Sequence, residues 1–443
     1  MSEKRITLQI EKLAQGGEGF GRYQGRVIFV PYAIPGEKVS VTITHESKDY
    51  AKGEIAEILA PAPERRTPLC PVFTRCGGCQ LQNLPEPAQV RYKSDALRDV
   101  LARIGRLTRF DLLPAVASPH PFYYRTRVRL KAEGGTIGFY QSKSHNIVEI
   151  DACPLLIPSL NRIIPFIKKE VPLPNLEEIE MQGADPGDEF LLILRGEKFH
   201  LKELEALYAK MGGLFPLRGL IAYTKRGRRV IGRDYLFHTL GDKTVRISDQ
   251  SFSQVNPEVN RALIRTVFEW AAPAAGDRIL ELYSGIGNFT LFLSQGAGAV
   301  AAVEENPIAV EDARWNLKNA GIRNVLLHCG SAESWFKKEG RERRVYNKVF
   351  LDPPREGAAE KTLIGIVRLA PEKIFYLSCE PATLARDLRR LSAHGYSLKR
   401  IQPFDMFPQT GRLELLAEVA PDPDGARRTG KCQSGEGVDS FTG

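Results

Sequence analysis

Two residue types that could carry covalent chemistry stand at the ends of predicted strands in the C-terminal third of the chain. Cys379 ends the apolar run IFYLSC and precedes a helix that begins near Pro381, where a helix N-terminus would favour the nucleophilic thiolate. Asp352 ends the run KVFLD, and Glu414 lies in a last strand after the segment DMFPQTGRLE. Free cysteines are most often small buried residues, so position alone leaves nucleophile and core residue as equal alternatives for Cys379.

A thiolate and a carboxylate at neighbouring strand ends suit addition chemistry on a pyrimidine ring. The C5 carbon of uracil is a poor nucleophile, but a thiolate added at C6 makes C5 reactive enough to accept a methyl group. A base must then remove the C5 proton before the thiolate can leave. This chemistry needs one cysteine and one carboxylate, which Cys379 and Glu414 could supply.

A glycine-containing loop earlier in the same region is typical of nucleotide binding. The segment ILELYSGIGNFTLFLS places Gly285 and Gly287 directly after an apolar strand, where glycine lets the backbone approach a ligand closely. The next strand ends at Glu304, whose carboxylate could accept the hydroxyl groups of a ribose. A dinucleotide fingerprint would have a third glycine where Thr290 stands, so the loop favours S-adenosylmethionine over NAD. The alternative is a glycine pair that only packs a helix against a strand.

The elements that must position these residues divide the chain into three predicted domains and a tail. Residues 251–420 alternate strands and helices, which predicts an α/β fold with a doubly wound, Rossmann-like parallel sheet. Residues 1–60 contain short β-rich runs broken by glycines and predict a small β-barrel. A Pro-rich run at 61–71 marks the start of a central α+β domain over 61–250. Residues 421–443 have few apolar residues and predict a disordered tail.

Four of the seven cysteines share a spacing that is typical of ligand sites. They form a C-x5-C-x2-C pattern with a more distant fourth member, and they are Cys70, Cys76, Cys79 and Cys153. Four thiolates can hold either zinc or an iron–sulfur cluster, and spacing alone does not separate the two. Of the remaining cysteines, we expect Cys329 to be a core residue and Cys432 to have no function.

Composition and charge exclude several protein classes and favour a nucleic-acid partner. With 43% hydrophobic residues, 26% charged residues and a net charge of +9, the 443-residue chain is neither an acidic disordered chain nor a coiled coil. Residues 61–160 hold 14 Lys and Arg against 8 Asp and Glu, and alternate positions of one predicted strand carry cations: Arg125, Arg127, Arg129 and Lys131. Such a basic strand could face RNA, and a solvated strand face is the alternative.

The N-terminal residues and the hydropathy pattern predict the compartment. The first residues, MSEKRITLQIEKL, lack the apolar core of a signal peptide, and the chain has no run of about 18 apolar residues that could span a membrane. We therefore expect a cytoplasmic, monomeric protein that has no membrane partner.

Four motifs in order, LELYSGIGNFT, FLDPPREG, SCEPATLARDL and DMFPQTGRLE, together resemble the bacterial RNA (uracil-5-)methyltransferases. The resemblance covers about residues 4–419. It implies that Cys379 is the nucleophile and that Glu414 removes the C5 proton. It also implies that residues 1–60 form a TRAM domain, a barrel that binds RNA, with a protein-docking barrel as the alternative. The S-adenosylmethionine contacts that it implies are Gln254, Tyr283, Asn288, Glu304, Ser331 and Asp352.

The cysteine pattern, with CGGCQLQ inside it, resembles the 4Fe–4S site of the ribosomal-RNA branch of this family. The resemblance implies a 4Fe–4S cluster at the four cysteines, with zinc as the alternative, and a uridine of 23S rRNA as the substrate. A tRNA methyltransferase is the alternative function, and a catalytically inactive RNA-binding protein is a further one. The chain departs from the common family residues at positions expected near the target base: Tyr283, Ser284, Glu380, Gln409 and Arg412.

Overall fold

The computed structural model describes residues 4–171, 175–339 and 345–422, with the side chain of Glu339 left out. The predicted disordered tail, 421–443, lies outside the described residues from 423 onward. Within the described part of the chain, none of the helices combines the length and the apolar character that crossing a membrane requires.

The N-terminal domain is a six-stranded sheet in the order β1-β5-β6-β4-β3-β2, and β1 contacts β3 across its core. Alternate residues of the run ITLQ, Ile6 and Leu8, face this core together with Val30 and Val39, as expected for a strand that is buried on one side. The strands are β1 (Arg5–Gln9), β2 (Lys12–Leu13), β3 (Gly19–Tyr23), β4 (Arg26–Val30), β5 (Lys38–Glu46) and β6 (Tyr50–Ala60).

The central part of the chain forms a seven-stranded sheet in the order β10-β9-β8-β11-β12-β13-β14. Leu192 and Leu194 of β12 face a core shared with helices α2, α3 and α4, while Leu191 and Ile193 face the opposite side. The elements are α1 (Glu86–Val100), a π-helical turn (Leu101–Gly105), β7 (Asp111–Leu112), β8 (Arg127–Glu133), β9 (Thr136–Tyr140), β10 (Ile147–Glu149), α2 (Pro158–Asn161), α3 (Ile164–Glu170), β11 (Leu176–Gly183), β12 (Phe190–Gly196), α4 (Leu201–Gly212), β13 (Leu217–Thr224) and β14 (Gly227–Gly232).

The C-terminal domain is an eight-stranded sheet in the order β19-β18-β17-β20-β21-β23-β22-β7, preceded by a two-stranded ribbon, β15 and β16. Strands β17 to β21 are parallel, whereas β23 runs antiparallel to β21. The elements are β15 (Tyr235–Leu240), β16 (Lys243–Ser248), α5 (Pro257–Ala271), β17 (Arg278–Leu282), α6 (Thr290–Gly296), β18 (Ala299–Glu304), α7 (Pro307–Asn319), β19 (Val325–Cys329), α8 (Ala332–Glu339), β20 (Lys348–Leu351), α9 (Glu360–Leu369), β21 (Lys373–Ser378), α10 (Pro381–Ala393), β22 (Tyr396–Phe404) and β23 (Glu414–Pro421).

Helix α1 and strand β7 pack with the C-terminal sheet, although they lie within the predicted central domain, 61–250. The apolar stripe of α1 and the π-helical turn, with Leu97 and Leu101, shares a core with Leu384 and Leu388 of α10. Strand β7 pairs in parallel with β22 at the edge of the sheet. The reason is that the stripe of an amphipathic helix is buried against whichever apolar face lies within reach, which sequence periodicity alone does not identify.

A buried ion pair ties α1 to the C-terminal domain. The Lys93 ammonium and the Asp405 carboxylate lie 2.7 Å apart, and each side chain is only 3% exposed. The Lys93 ammonium also donates a hydrogen bond to the backbone carbonyl of Phe407 at 3.3 Å. Breaking a buried pair by removing one member leaves an uncompensated charge out of water.

We therefore expect Lys93→Met to lower the free energy of unfolding by about 3–5 kcal/mol, because it leaves the Asp405 carboxylate buried and unpaired. Denaturant unfolding followed by circular dichroism measures the change. The matched control is Lys12→Met, which breaks the exposed Lys12–Asp99 pair at 3.0 Å and should cost no more than about 1 kcal/mol. Equal losses in the two variants would contradict the expectation.

Candidate active site

The carboxyl ends of the parallel strands bring the candidate residues together at one edge of the C-terminal sheet. The order of the strands reverses at β17, because β18 and β19 extend the sheet on one side and β20 and β21 on the other. Ligands of open α/β sheets bind at such a switch point. Tyr283 directly follows β17 and Asp352 directly follows β20, so both residues lie at this position.

One cavity at the switch point is lined by four of the six residues that were predicted to bind the cofactor: Gln254, Tyr283, Asn288 and Asp352. The cavity has a volume of about 60 Å³, and the ring of Phe252, which also lines it, is 65% exposed. The Asn288 side chain exchanges two hydrogen bonds of 3.0 Å with the Asn260 side chain of α5, which fixes its orientation.

Glu304 adjoins this cavity through the glycine loop. Its Oε2 accepts a hydrogen bond from the Gly285 N–H at 2.9 Å, and its Oε1 accepts one from the Asn306 N–H at 2.7 Å. Because each carboxylate oxygen has two lone pairs, Glu304 can still accept hydrogen bonds from hydroxyl groups. Ser331 is not among the residues that line the cavity. It directly precedes α8, and its Oγ accepts a hydrogen bond from the Ser334 N–H at 3.2 Å.

A buried acid that the sequence analysis missed, Glu281, lies on β17 close to the cavity. Burial raises the pKa of Glu281 to about 8, although Thr290 lowers it. Burial also raises the pKa of Asp352 to about 7, and the Glu304 carboxylate adds to that shift. An acidic residue within the apolar strand RILEL is the sequence signal that could have identified Glu281.

The antiparallel pairing of β21 with β23 sets Cys379 opposite Glu414. Ser378 pairs with Leu415, so the next residue of β21's path, Cys379, faces the first residue of β23, Glu414. Cys379 is half-buried and Glu414 is buried. The structure therefore brings the predicted nucleophile and the predicted base together, at the same edge of the sheet as Asp352.

The electrostatic environment favours the protonated forms of both groups. Burial raises the pKa of Cys379 to about 11 and the Glu414 carboxylate adds to this, whereas the Arg355 guanidinium lowers it. Burial and the Asp352 carboxylate raise the pKa of Glu414 well above its ordinary value, and Arg355 again opposes the shift. A proton must therefore leave the Cys379 thiol before its sulfur can attack a substrate.

The loop of residues 405–413 leads into Glu414, and residues that precede the C-terminal domain in the sequence form hydrogen bonds to it. The backbone carbonyl of Gln409 accepts hydrogen bonds from the N–H groups of Gln80 and Leu81 at 3.1 and 3.0 Å. The Gln409 N–H donates to Gln89 Oε1 at 2.9 Å, and Gln89 Nε2 donates to Gln409 Oε1 at 2.9 Å. These contacts join residues that are 320 positions apart in the sequence.

The N-terminal barrel contacts the site on both sides. Gln15 Nε2 donates a hydrogen bond to the carboxylate of Glu380, the residue after Cys379. Gly16 pairs with Gly411 in an isolated β-bridge, and a Cβ atom on Gly411 would lie 2.2 Å from the carbonyl carbon of Gly16. Only glycine fits this close backbone approach, and it holds the barrel against the loop before Glu414.

The four cysteines with ligand spacing line one cavity of about 260 Å³: Cys70, Cys76, Cys79 and Cys153. Arg125 also lines this cavity, and its Nε is buried without a hydrogen-bond partner among the described residues. The Gly78 N–H donates to Cys76 Sγ at 3.4 Å. Four thiols, a cationic side chain and an unused N–H donor fit an anionic, sulfur-rich group. Among the residues described, no three His, Cys, Asp or Glu side chains lie close enough together to hold a single metal ion.

Strand β8 does not present a row of unpaired cations, contrary to its appearance in the sequence. Its residues Arg127, Arg129 and Lys131 form ion pairs with Glu178 and Glu180 of β11. The mutual repulsion that suggested a phosphate partner is therefore offset within the protein. An RNA-facing role for this strand stays a prediction.

Comparison with known proteins decides the family. Residues 200–417 match the tRNA (Uracil-5-)-methyltransferase family, and residues 2–56 match the TRAM domain. An uncharacterized RNA methyltransferase of Halalkalibacterium halodurans is 34% identical over 442 residues, which covers 93% of this chain and 96% of the relative. The chain belongs to the RNA (uracil-5-)methyltransferase family.

Two further members carry more specific names. A 23S rRNA (uracil(1939)-C(5))-methyltransferase of Klebsiella pneumoniae is 34% identical over 425 residues, 93% of this chain and 94% of that protein. The Pyrococcus abyssi tRNA (uracil-54, C5)-methyltransferase, solved in complex with S-adenosyl-L-homocysteine, superposes with a TM-score of 0.73 at 25% identity, over 94% of this chain and 100% of its own. The predicted S-adenosylmethionine-dependent methyltransferase domain and the predicted TRAM domain are thus confirmed.

The raised pKa of Cys379 predicts an unusual pH profile for its alkylation in this methyltransferase. Because the thiolate is the reactive form, the rate of reaction with iodoacetamide should rise about tenfold per pH unit and still be rising at pH 10. Arg355→Met should slow the reaction further at each pH below the pKa. Peptide mass spectrometry follows Cys379 with Cys329 as an internal reference, because Cys329 is exposed and the expectation that it is a core residue is wrong. A rate that levels off below pH 9 would show that the thiol is not held in its neutral form.

Proposed function

We propose that this methyltransferase transfers a methyl group to C5 of a uridine in 23S ribosomal RNA through a covalent bond between Cys379 and C6 of the uracil. Glu414 then removes the C5 proton. The observation that carries the proposal is the position of Cys379 directly opposite Glu414, beside a cavity at the switch point of the sheet.

Cys379 acts first. Its thiolate sulfur bonds to C6 of the uracil ring, and the electrons of the C5–C6 double bond move to form an enolate over C5, C4 and O4. The Arg355 guanidinium lowers the pKa of Cys379, so it favours the thiolate that this step needs. C5 is now nucleophilic, and the enolate electrons form the new bond from C5 to the methyl carbon. The bond between that methyl group and the sulfonium of the donor would break at the same time, with its electron pair staying on the sulfur.

Glu414 acts second, as the base whose action restores the C5–C6 double bond of the uracil ring. Its carboxylate takes the proton from C5, the C5–H electrons re-form the C5–C6 double bond, and the C6–S bond breaks with its electrons returning to Cys379. Glu414 must be deprotonated before this step, and its raised pKa then makes the carboxylate a stronger proton acceptor than an exposed glutamate. The product is 5-methyluridine, and the Glu414 proton must be lost to solvent before the next turnover.

S-adenosylmethionine supplies the electrophilic methyl group when it is bound at the switch point. Glu304 has free lone pairs for the ribose hydroxyls, since its two backbone donors leave acceptor capacity on each oxygen. Four further candidates for binding line the cavity, namely Gln254, Tyr283, Asn288 and Asp352. Ser331 is the sixth candidate, and it does not line this cavity.

The choice of 23S rRNA rests on the relative from Klebsiella pneumoniae, which matches along 93% of this chain. The alternative is a tRNA substrate, which the structural similarity to the Pyrococcus abyssi tRNA enzyme favours. Nucleoside analysis of rRNA and tRNA from a strain that lacks this gene separates the two. Loss of 5-methyluridine from 23S rRNA alone is the expected result, and loss from tRNA alone would establish the alternative.

We also propose that Cys70, Cys76, Cys79 and Cys153 hold a 4Fe–4S cluster. The support is one cavity of about 260 Å³ that all four thiols line, which is larger than the space that a single zinc ion fills, together with the buried Nε of Arg125 beside them. Methyl transfer needs no electron, so the cluster would fix the structure of residues 70–82 and not take part in the reaction.

Two variants separate the two proposed steps. Cys379→Ala should abolish both methyl transfer and the covalent complex with RNA, because no other group adds to C6. Glu414→Gln should still add to C6 and methylate C5, so the methylated RNA should accumulate as a covalent complex that denaturing gel electrophoresis resolves. The rate of product release should fall by at least about a hundredfold, since general base catalysis contributes roughly 10²–10⁴-fold.

Glu418→Gln serves as the control, because Glu418 lies on the same strand but pairs with Arg400 and Lys373 away from Cys379. It should release product at nearly the normal rate. Release of free 5-methyluridine RNA from Glu414→Gln at the normal rate would contradict the role of Glu414. Wild-type protein that methylates no RNA and forms no complex with 5-fluorouridine RNA would support the inactive RNA-binding alternative.

The metal proposal predicts that the purified protein has a broad brown absorption and about four iron and four sulfide ions per chain. Cys79→Ser should lose the colour and melt at a lower temperature, because residues 70–82 lose their cross-link, whereas Cys329→Ser should change neither property. Metal analysis and circular dichroism measure both effects. A colourless protein with one zinc ion per chain would contradict the cluster and show that the cysteines bind zinc.

A further inference from the structure

A cleft of about 270 Å³ lies where the barrel, the cysteine-rich segment and the loop before Glu414 meet. The barrel contributes Gln15, Glu18 and Tyr32 to its lining, the middle of the chain contributes Gln80, and the loop contributes Arg412. This cleft is separate from the cavity at the switch point, which is lined by other residues.

The lining of the cleft is linked closely to both proposed catalytic groups. Arg412 precedes Leu413 and Glu414 in the chain. On the other side, the Gln15 side chain donates a hydrogen bond to Glu380, which directly follows Cys379. A ligand in the cleft would therefore be a close neighbour of a uracil held between Cys379 and Glu414.

The cleft carries a cation that has no directly paired carboxylate. The Arg412 guanidinium forms no ion pair with any carboxylate among the described residues. Burial is the largest influence on its pKa and lowers it, Arg355 and Arg125 lower it further, and Cys379 and the Glu380 carboxylate oppose this shift. The acid in the lining, Glu18, is offset by Lys143 at 3.0 Å. An exposed guanidinium that lies near other cations and has no directly paired carboxylate is suited to bind a phosphate.

The aromatic ring in the cleft is held by an anchored backbone. Tyr32 has a left-handed backbone with φ of 64°, which is uncommon for a side chain of this size. Its carbonyl accepts hydrogen bonds from Arg65 at 2.9 Å and from Asn83 at 2.7 Å, and its ring meets that of Phe73 edge-on at 5.2 Å. These contacts hold the ring of Tyr32 at the wall of the cleft.

We propose that this cleft holds the nucleotide that adjoins the target uridine, with the phosphate between the two nucleotides on Arg412 and the neighbouring base against Tyr32. A uridine that reacts at C5 and C6 must leave its base stack, so its neighbour loses a stacking partner as well. Aromatic side chains bind such unstacked bases, and arginine binds the phosphate. The inference rests on the proposed function and adds a second nucleotide site to it.

Neutralising one phosphate at a time tests the contact with Arg412. Substrate RNAs are made in which the phosphate on either side of the target uridine is replaced by an uncharged methylphosphonate. For the wild-type enzyme, one of the two replacements should lower kcat/KM by roughly tenfold to a hundredfold, as expected for a hydrogen-bonded charge. Arg412→Met should lower kcat/KM on unmodified RNA by a similar factor, and that phosphate replacement should lower the kcat/KM of this variant no further.

The control is Arg368→Met, which removes an exposed arginine from the last turn of α9 and should respond to both replacements as the wild type does. An abasic neighbour with Tyr32→Leu tests the base contact in the same way, and melting curves show whether each variant is folded. The inference is wrong if Arg412→Met and wild type lose equally from each replacement, or if the wild type is insensitive to both. In either case the wild type would still methylate RNA. If the proposed function were wrong, the wild type would make no 5-methyluridine, so the two failures can be distinguished.

Discussion

The active site depends on one buried loop whose backbone must be hydrogen-bonded without water. Residues 405–413 connect β22 to β23 and set the position at which Glu414 begins its strand. Gln409 is fully buried there, and its side chain accepts hydrogen bonds from Arg66 at 3.1 Å and from Gln89 at 2.9 Å. Unpaired backbone and amide groups in a buried loop would destabilise the folded state. The loop and the segments around it therefore depend on each other for their hydrogen bonds.

This constraint explains why three parts of the chain meet at the site. The residues that contact residues 405–411 are Gly16 of the barrel, Gln80 and Leu81 of the cysteine-rich segment, and Gln89 and Lys93 of α1. Leu81 lies two residues beyond Cys79, so a short stretch of backbone joins the cysteine cavity to the Gln409 carbonyl. The domains follow one another along the chain, but around this loop hydrogen bonds join them into one continuous unit.

The sequence predicted the parts of the site that follow from local rules. Strands that alternate with helices predict a parallel sheet, and the rule that ligands gather at the carboxyl ends of such strands placed Tyr283, Asp352 and Cys379 at one edge. The pairing of the β8 cations with Glu178 and Glu180 depends on a strand about 50 residues further along the chain. Periodicity shows that α1 has an apolar stripe, but it does not say which of two domains buries it.

The network around Gln409 could not be read from the sequence, because an amide side chain carries no signal of its partners. Gln89 and Gln409 are ordinary polar residues in the sequence, yet each is fully buried. Glu281 is different, since an acid within an apolar strand is visible before the structure is known. Buried polar residues that join distant segments are the class that a single sequence identifies least well.

The long separations within this network have a consequence for the order in which the molecule is assembled. Gln15 meets Glu380 across 365 residues and Gln89 meets Gln409 across 320. Contacts of such high sequence separation form late, and a chain that emerges from the ribosome N-terminus first cannot make them until its last strand has been synthesised. A nascent chain therefore has a folded barrel long before Cys379 has Glu414 opposite to it. The active site is therefore completed last, after the N-terminal barrel and the C-terminal strands have come into contact.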